Sequence, residues 1–153
     1  MTNRTVEPAT FTLERHFNAP PARVFQAFTD IDIKRRWFAE GEGWITESYT
    51  LDVREGGREE GTFRFEGGAP IRNETIYLDV VPDKRLVLSY CMIIDGKRIS
   101  ASLATIEFLP DGQGTKLIYT EQASFLDGAD TCKSREEGCS YLLDTLGRVL
   151  AQA

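Results

Sequence analysis

From Trp44 to Phe125 the chain reads as one β-strand after another, and beyond Asp130 the period of its apolar residues changes once and does not change back. In "CKSREEGCSYLLDTLGRVLAQ", Cys132 to Gln152, the residues Cys139, Leu142, Leu143, Leu146, Val149 and Leu150 recur at steps of three and four. Lys133, Arg135, Glu136, Glu137, Asp144 and Arg148 are expected to cover the other side. This spacing predicts one amphipathic helix of about 20 residues, roughly 30 Å long. Nothing else remains to cover its apolar stripe, so the helix must lie across a sheet.

The sheet is legible from its turns. "SYTLDVREGGREEGTFRFEGG" predicts two strands joined around Gly56-Gly57, and "NETIYLDVVPDKRLVLSY" two more joined at Pro82-Asp83. Further reversals are expected at Asp95-Gly96 and Asp111-Gly112, which makes the middle of the chain an antiparallel meander. Upstream, Phe11, Leu13 and Phe17 alternate through a first strand that ends at Pro20-Pro21. "PARVFQAFTD" and "DIKRRWFAEG" then place Val24, Phe25 and Phe28, and Ile33, Trp37 and Phe38, at helical spacing, predicting two short helices.

The fold class is therefore α+β: a curved antiparallel sheet of about seven strands around a long C-terminal helix, with two short helices after the first strand. Residues 1–9 are expected to form a flexible tail and residues 10–152 one domain, a size consistent with the 153-residue chain. A strongly curved sheet cannot touch a single cylinder everywhere, so a gap is expected between its concave face and the helix.

Several function classes are disfavoured. A formal net charge of -6 repels nucleic acid and anionic lipid, and no apolar stretch approaches the length of a membrane span. "MTNRTVEPAT" lacks the apolar segment of a secretory signal, so a soluble, cytoplasmic protein is expected. Cys91, Cys132 and Cys139 form no CxxC pair and are expected to be reduced thiols that fill space. His16, the sole histidine, is out of phase with Leu13 and Phe17 and should face solvent; no metal site and no cofactor is expected. The pairs Glu59-Glu60 and Glu136-Glu137 are expected to face water.

One residue breaks its pattern. In "LIYTEQASF", Leu117, Tyr119, Ala123 and Phe125 step two apart like the buried side of a strand, and the position in phase between them is Glu121. An isolated ionised carboxylate there is costly, so it must be paired, hydrogen-bonded or protonated. Arg15, in phase between Leu13 and Phe17, is the expected partner, through two hydrogen bonds from its guanidinium. Such a pair is read first as a structural tie, then as a polar spot that reads a ligand, and last as an acid/base group centred on Glu121.

The same phase argument turns Leu88, Tyr90 and Met92 inward, together with Phe63 and Phe65, and places Leu142 on the helix stripe. Hydroxyl and indole donors in an apolar wall suit a mostly apolar small molecule with one polar end, and core packing accounts for the same residues. Gly138 and Gly147 interrupt the helix, either to give a ligand room or to let a strand cross closely.

With that order in hand, "RHFNAPPARVFQAFTD", "WF", "LDVREGG", "YLDVVPDKRLVLSY", "IEFLPDGQGTKLIYTEQASF" and "REEGCSYLLDTLGRVL" resemble, in order and spacing, the SRPBCC or START-like superfamily. The branch they resemble most is the activator-of-heat-shock-protein-90-ATPase-like one, over roughly Thr10 to Leu150. The resemblance implies a helix-grip fold with a cavity whose mouth lies near Trp37, Phe38 and Trp44. It is compatible with a ligand carrier, with an enzyme of the polyketide cyclase or hydratase kind using Glu121, and with a chaperone ATPase co-activator. It also implies that a homodimer is possible. Fold alone does not choose among these.

Overall fold

The computed structural model describes residues 4–152. In chain order its elements are β1 (Val6–Phe17), α1 (Pro21–Thr29), α2 (Ile31–Phe38), β2 (Trp44–Leu51), β3 (Arg58–Phe65), β4 (Ile71–Val81), β5 (Arg85–Ile94), β6 (Lys97–Asp111), β7 (Gly114–Leu126) and α3 (Cys132–Ala151). The strands form one antiparallel, curved sheet in the order β1-β7-β6-β5-β4-β3-β2. This is the curved sheet around one long helix that the element order predicts, and the helix-grip arrangement that the resemblance implies. Each strand from β2 to β7 lies beside its sequence neighbour, and α1 and α2 carry the chain from one edge of the sheet to the other.

The turns fall where expected. At Asp95 and Gly96 both residues take positive φ, 51° and 76°, the conformation a two-residue hairpin demands and glycine adopts without strain. The amino terminus departs from expectation. Val6 to Ala9, expected in the loose tail, are ladder residues facing Leu126 to Ala123, because β7 runs far enough to offer them backbone partners. Residues 1–3, the beginning of that expected tail, lie outside the described residues.

A bulge in β6 sets the phase that matters later. Met92 faces Ser100 but Ile93 faces Arg98, so Ile99 is extra and both Ile99 and Ser100 are buried. From there Ser100, Ser102, Ala104, Ile106 and Phe108 all turn toward α3.

The core fills one end of the space under α3. Leu143, Leu146, Val149 and Leu150 of its C-terminal half belong to the same buried cluster as Val24, Phe25 and Phe28 of α1. The rings of Phe25 and Phe28 each meet Phe108 edge-on at 5.3 Å. Trp37 packs on Phe28 and donates its indole N–H to the carbonyl of Ala27 at 2.9 Å, which locks the two short helices together. Each such side chain contributes roughly 1.5–3 kcal/mol through burial. A Cβ on Gly147 would meet the Phe17 ring at 3.4 Å, an ordinary contact, and one on Gly138 would meet nothing within 4 Å, so a close strand crossing requires neither glycine. The N-terminal half of α3, capped by the Thr131 hydroxyl accepting from the Ser134 N–H, lies over open space instead.

Candidate functional site

Glu121 points toward α3 as its phase requires and is fully buried. Its carboxylate is saturated. Tyr119 donates to Oε1 at 2.6 Å, Ser102 and Tyr90 donate to Oε2 at 2.7 and 2.8 Å, and the Cys139 thiol lies 3.7 Å from Oε1. The countercharge is Arg135, whose Nη1 sits 3.1 Å from Oε2.

Arg15 is not the partner. β1 runs antiparallel to β7 with Phe11 opposite Glu121 and Arg15 opposite Leu117. Four residues of strand separate the two by about 13 Å. Arg15 does turn toward α3, but there it donates to Asp144 at 3.0 Å and to Ser140, with its side chain 25% exposed.

Arg135, expected on the solvent side of α3, is buried. It precedes Cys139 by four residues and Leu142 by seven, which places it on the apolar stripe. Its Nη2 donates to Ser100 at 2.7 Å and to Asp130 at 3.1 Å, and its Nη1 to the Tyr90 hydroxyl at 2.9 Å. The guanidinium carbon lies 5.4 Å and 5.7 Å from the ring centres of Phe125 and Tyr90.

Burial opposes the charge of Arg135, but Tyr90, Glu121 and Asp130 outweigh it and hold the group above its ordinary value. Burial, followed by nearby Glu121, pushes the Tyr90 hydroxyl well up; burial, followed by Tyr90, does the same for Tyr119. Both phenols remain donors. The Cys139 thiol is pushed up to about 12, first by burial and then by Glu121.

A second buried pair faces the same space. Lys34 of α2 reaches Glu59 of β3 at 2.7 Å, and both are almost fully buried. Tyr49 donates to Glu59 Oε2 at 2.6 Å and Tyr77 donates to Oε1. The ammonium lies 4.8 Å from the centre of the Phe38 ring. Burial and then Glu59 raise both tyrosines well above their usual range.

The expectation that Glu59 faces water with Glu60 is thus overturned. Adjacent strand residues point to opposite faces, so Glu60 meets Arg58 and Arg72 outside while Glu59 shares the inner face with Phe63. Of the other acidic pair, Glu137 is exposed and Glu136 partly so, and His16 is half exposed beside Asp111.

Between these two clusters lies a cavity of about 520 Å³. Trp37, Phe38, Trp44, Leu88, Tyr90, Met92, Tyr119 and Leu142, all singled out in the sequence, line it. Glu121 lies behind Tyr90 and Tyr119, off the wall. Phe63 is buried against Phe38 and Tyr49 instead. Phe65, the last residue of β3, is 51% exposed and packs edge-on against Trp44.

Sequence reasoning missed Lys34, Glu59, Asn73, Thr75 and Arg135, all on the wall. The signal for each was a polar residue in phase with apolar neighbours. Gly138 lines the cavity too. Among the described residues no cluster of three or more His, Cys, Asp or Glu side chains could hold a metal, and no helix is long and apolar enough to cross a membrane.

None of the curated proteins compared with the chain matches it. Solved structures do. An uncharacterized protein from Rhizobium leguminosarum is 39% identical, with 99% of this chain and 100% of that one covered and a TM-score of 0.95. A Rhizobium loti protein is 44% identical over 95% of this chain and 99% of that one, with a TM-score of 0.88. A Chromobacterium violaceum protein is 25% identical over 92% and 96%, with a TM-score of 0.78. Residues 18–151, from the end of β1 to the end of α3, match the model of one family, and this chain is a member of it: the Activator of Hsp90 ATPase homolog 1-like proteins.

Proposed function

We propose that this protein binds a small, mostly apolar molecule with one polar end in the cavity under α3. The supporting observation is the cavity itself. At about 520 Å³ it falls within the roughly 300–1,000 Å³ usual for ligand sites. Phe28, Trp37, Phe38, Leu88, Ile106 and Leu142 supply apolar wall, and Tyr90, Tyr119 and Arg135 converge on one side of it.

The acid/base reading centred on Glu121 loses its basis, because that carboxylate is occupied by donors and stands behind the wall. Its part is to hold Arg135 and the two phenols in place. Activation of an Hsp90 ATPase, which the family description names, is a separate activity that substitutions inside the cavity would leave unchanged.

The test is binding of the neutral fluorophore N-phenyl-1-naphthylamine, alongside native mass spectrometry of the freshly purified protein. Wild type should enhance the probe's emission saturably, and Leu142→Trp, which narrows the cavity, should weaken the enhancement at an unchanged or higher melting temperature. Equal binding by both proteins would sink the proposal.

A further inference from the structure

We infer that the hydroxyl of Thr75 receives the polar end of the ligand, and that this end is an uncharged hydrogen-bond acceptor, a ketone or ester carbonyl; the conclusion rests on the reading of the cavity as a binding site. Two observations carry it. The first is the state of that hydroxyl. Along β4, Thr75 and Tyr77 are buried while Ile76 and Leu78 are exposed, so the Thr75 side chain points to the concave face of the sheet. The residue is 6% exposed and lines the cavity. Its hydroxyl has no hydrogen-bond partner among the described residues, yet it is not closed to water: among their non-exposed side chains the one unpaired polar atom that water cannot reach is Asn73 Oδ1. On the concave face the space open to the Thr75 hydroxyl is the cavity.

The second observation is its setting. Glu59, Thr75 and Tyr90 stand in one row across β3, β4 and β5. Both neighbours are engaged elsewhere: Glu59 accepts from Lys34, Tyr77 and Tyr49, and Tyr90 donates to Glu121 and accepts from Arg135. The Thr75 O–H is therefore a donor with no acceptor on the wall. A ligand that fills the cavity displaces water from it, and a ligand that brings an acceptor restores the bond, whereas one that only donates leaves the O–H unpaired. The acceptor does best uncharged, because Glu59 beside it is already matched by Lys34 at 2.7 Å and leaves no cation there for a second carboxylate. A carbonyl meets both conditions.

The experiment compares 2-acetylnaphthalene with 2-isopropenylnaphthalene, in which C=CH2 replaces C=O at nearly the same shape, each displacing N-phenyl-1-naphthylamine from the full chain at pH 7. Water solvates the two ligands differently, so the quantity read is the change in their affinity ratio from one protein to another. In Thr75→Val, which keeps the branched shape and removes the hydroxyl, the ratio should shift about fivefold toward the alkene, the loss of one buried hydrogen bond, with a melting temperature at or above wild type. Thr75→Ser keeps the hydroxyl and should keep the wild-type ratio. An unchanged ratio in Thr75→Val would overturn the inference. So would a serine variant that behaves like the valine one, because the effect would then belong to the shape of the side chain. 2-Naphthoate binding to the wild type as tightly as the ketone would overturn the preference for an uncharged acceptor. Absence of probe binding altogether would instead overturn the binding reading itself, and this conclusion with it.

Discussion

Two buried ion pairs flank one cavity, and they are built on different plans. Arg135 and Glu121 join α3 to the middle of the sheet, and their remaining donors and acceptors are taken up by Ser100, Ser102, Tyr90, Tyr119 and Asp130. Lys34 and Glu59 join α2 to β3, and only Tyr49 and Tyr77 complete the set. The ionic element is the same in both. What differs is how many neutral groups would be orphaned if it were removed. Taking two charges out of water costs about what their attraction returns, so the strength of such a site lies in the hydrogen bonds around the pair.

The comparison can be broken by mutation. Arg135→Met should have the largest effect, lowering stability by about 4–5 kcal/mol in urea unfolding, because it leaves two carboxylates, Glu121 and Asp130, without their countercharge. Lys34→Met should lower it by about 3 kcal/mol, since both tyrosines still donate to Glu59. The double variants sharpen the contrast. Lys34→Met with Glu59→Gln should return to within about 1 kcal/mol of wild type, whereas Arg135→Met with Glu121→Gln should remain at least about 2 kcal/mol below it, because Ser100 and Asp130 lose their donor. Equal recovery in the two doubles would erase the distinction.

A smaller effect separates the clusters by pH, since only the first contains a thiol. Cys139 rises from an ordinary 9.0 to about 12 in the folded protein. Between those values the unfolded chain releases a proton that the folded one keeps, so the thiol's contribution is fully present below pH 9.0 and is lost as pH climbs toward 12. The loss of stability in that window should be shallower in Cys139→Ala, by up to about 1 kcal/mol per pH unit. Iodoacetamide at pH 8 should leave Cys139 unmodified until the protein is unfolded. The smallest effect belongs to Arg15→Ala. Its pair with Asp144 is partly solvated, so the cost should be no more than about 1 kcal/mol and should fall with added salt.

The order of strands and helices was legible because two periods and a set of turn residues carry it, and each is local. Which face a side chain takes was legible for the same reason, and Glu121 was found that way. Its partner was not, because pairing depends on register. Phe11 rather than Arg15 stands opposite Glu121, and nothing near either residue encodes that alignment. Arg135, Lys34 and Glu59 could have been read from phase alone. Arg135 lies four residues before Cys139, Lys34 three before Trp37, and Glu59 four before Phe63 on the same strand face. They were passed over because charged residues are usually placed in water, a rule that fails where two of them meet under an apolar cover.

The first strand has one further consequence, for the path by which the molecule assembles. β1 touches no strand but β7, with Val6 opposite Leu126 and Phe17 opposite Thr115. It must therefore wait for roughly a hundred residues of intervening chain before its apolar side is covered, and closing so long a loop slows refolding. During synthesis the same delay leaves Phe11, Leu13 and Phe17 uncovered until α3, the last element, emerges, a window in which aggregation competes with closure.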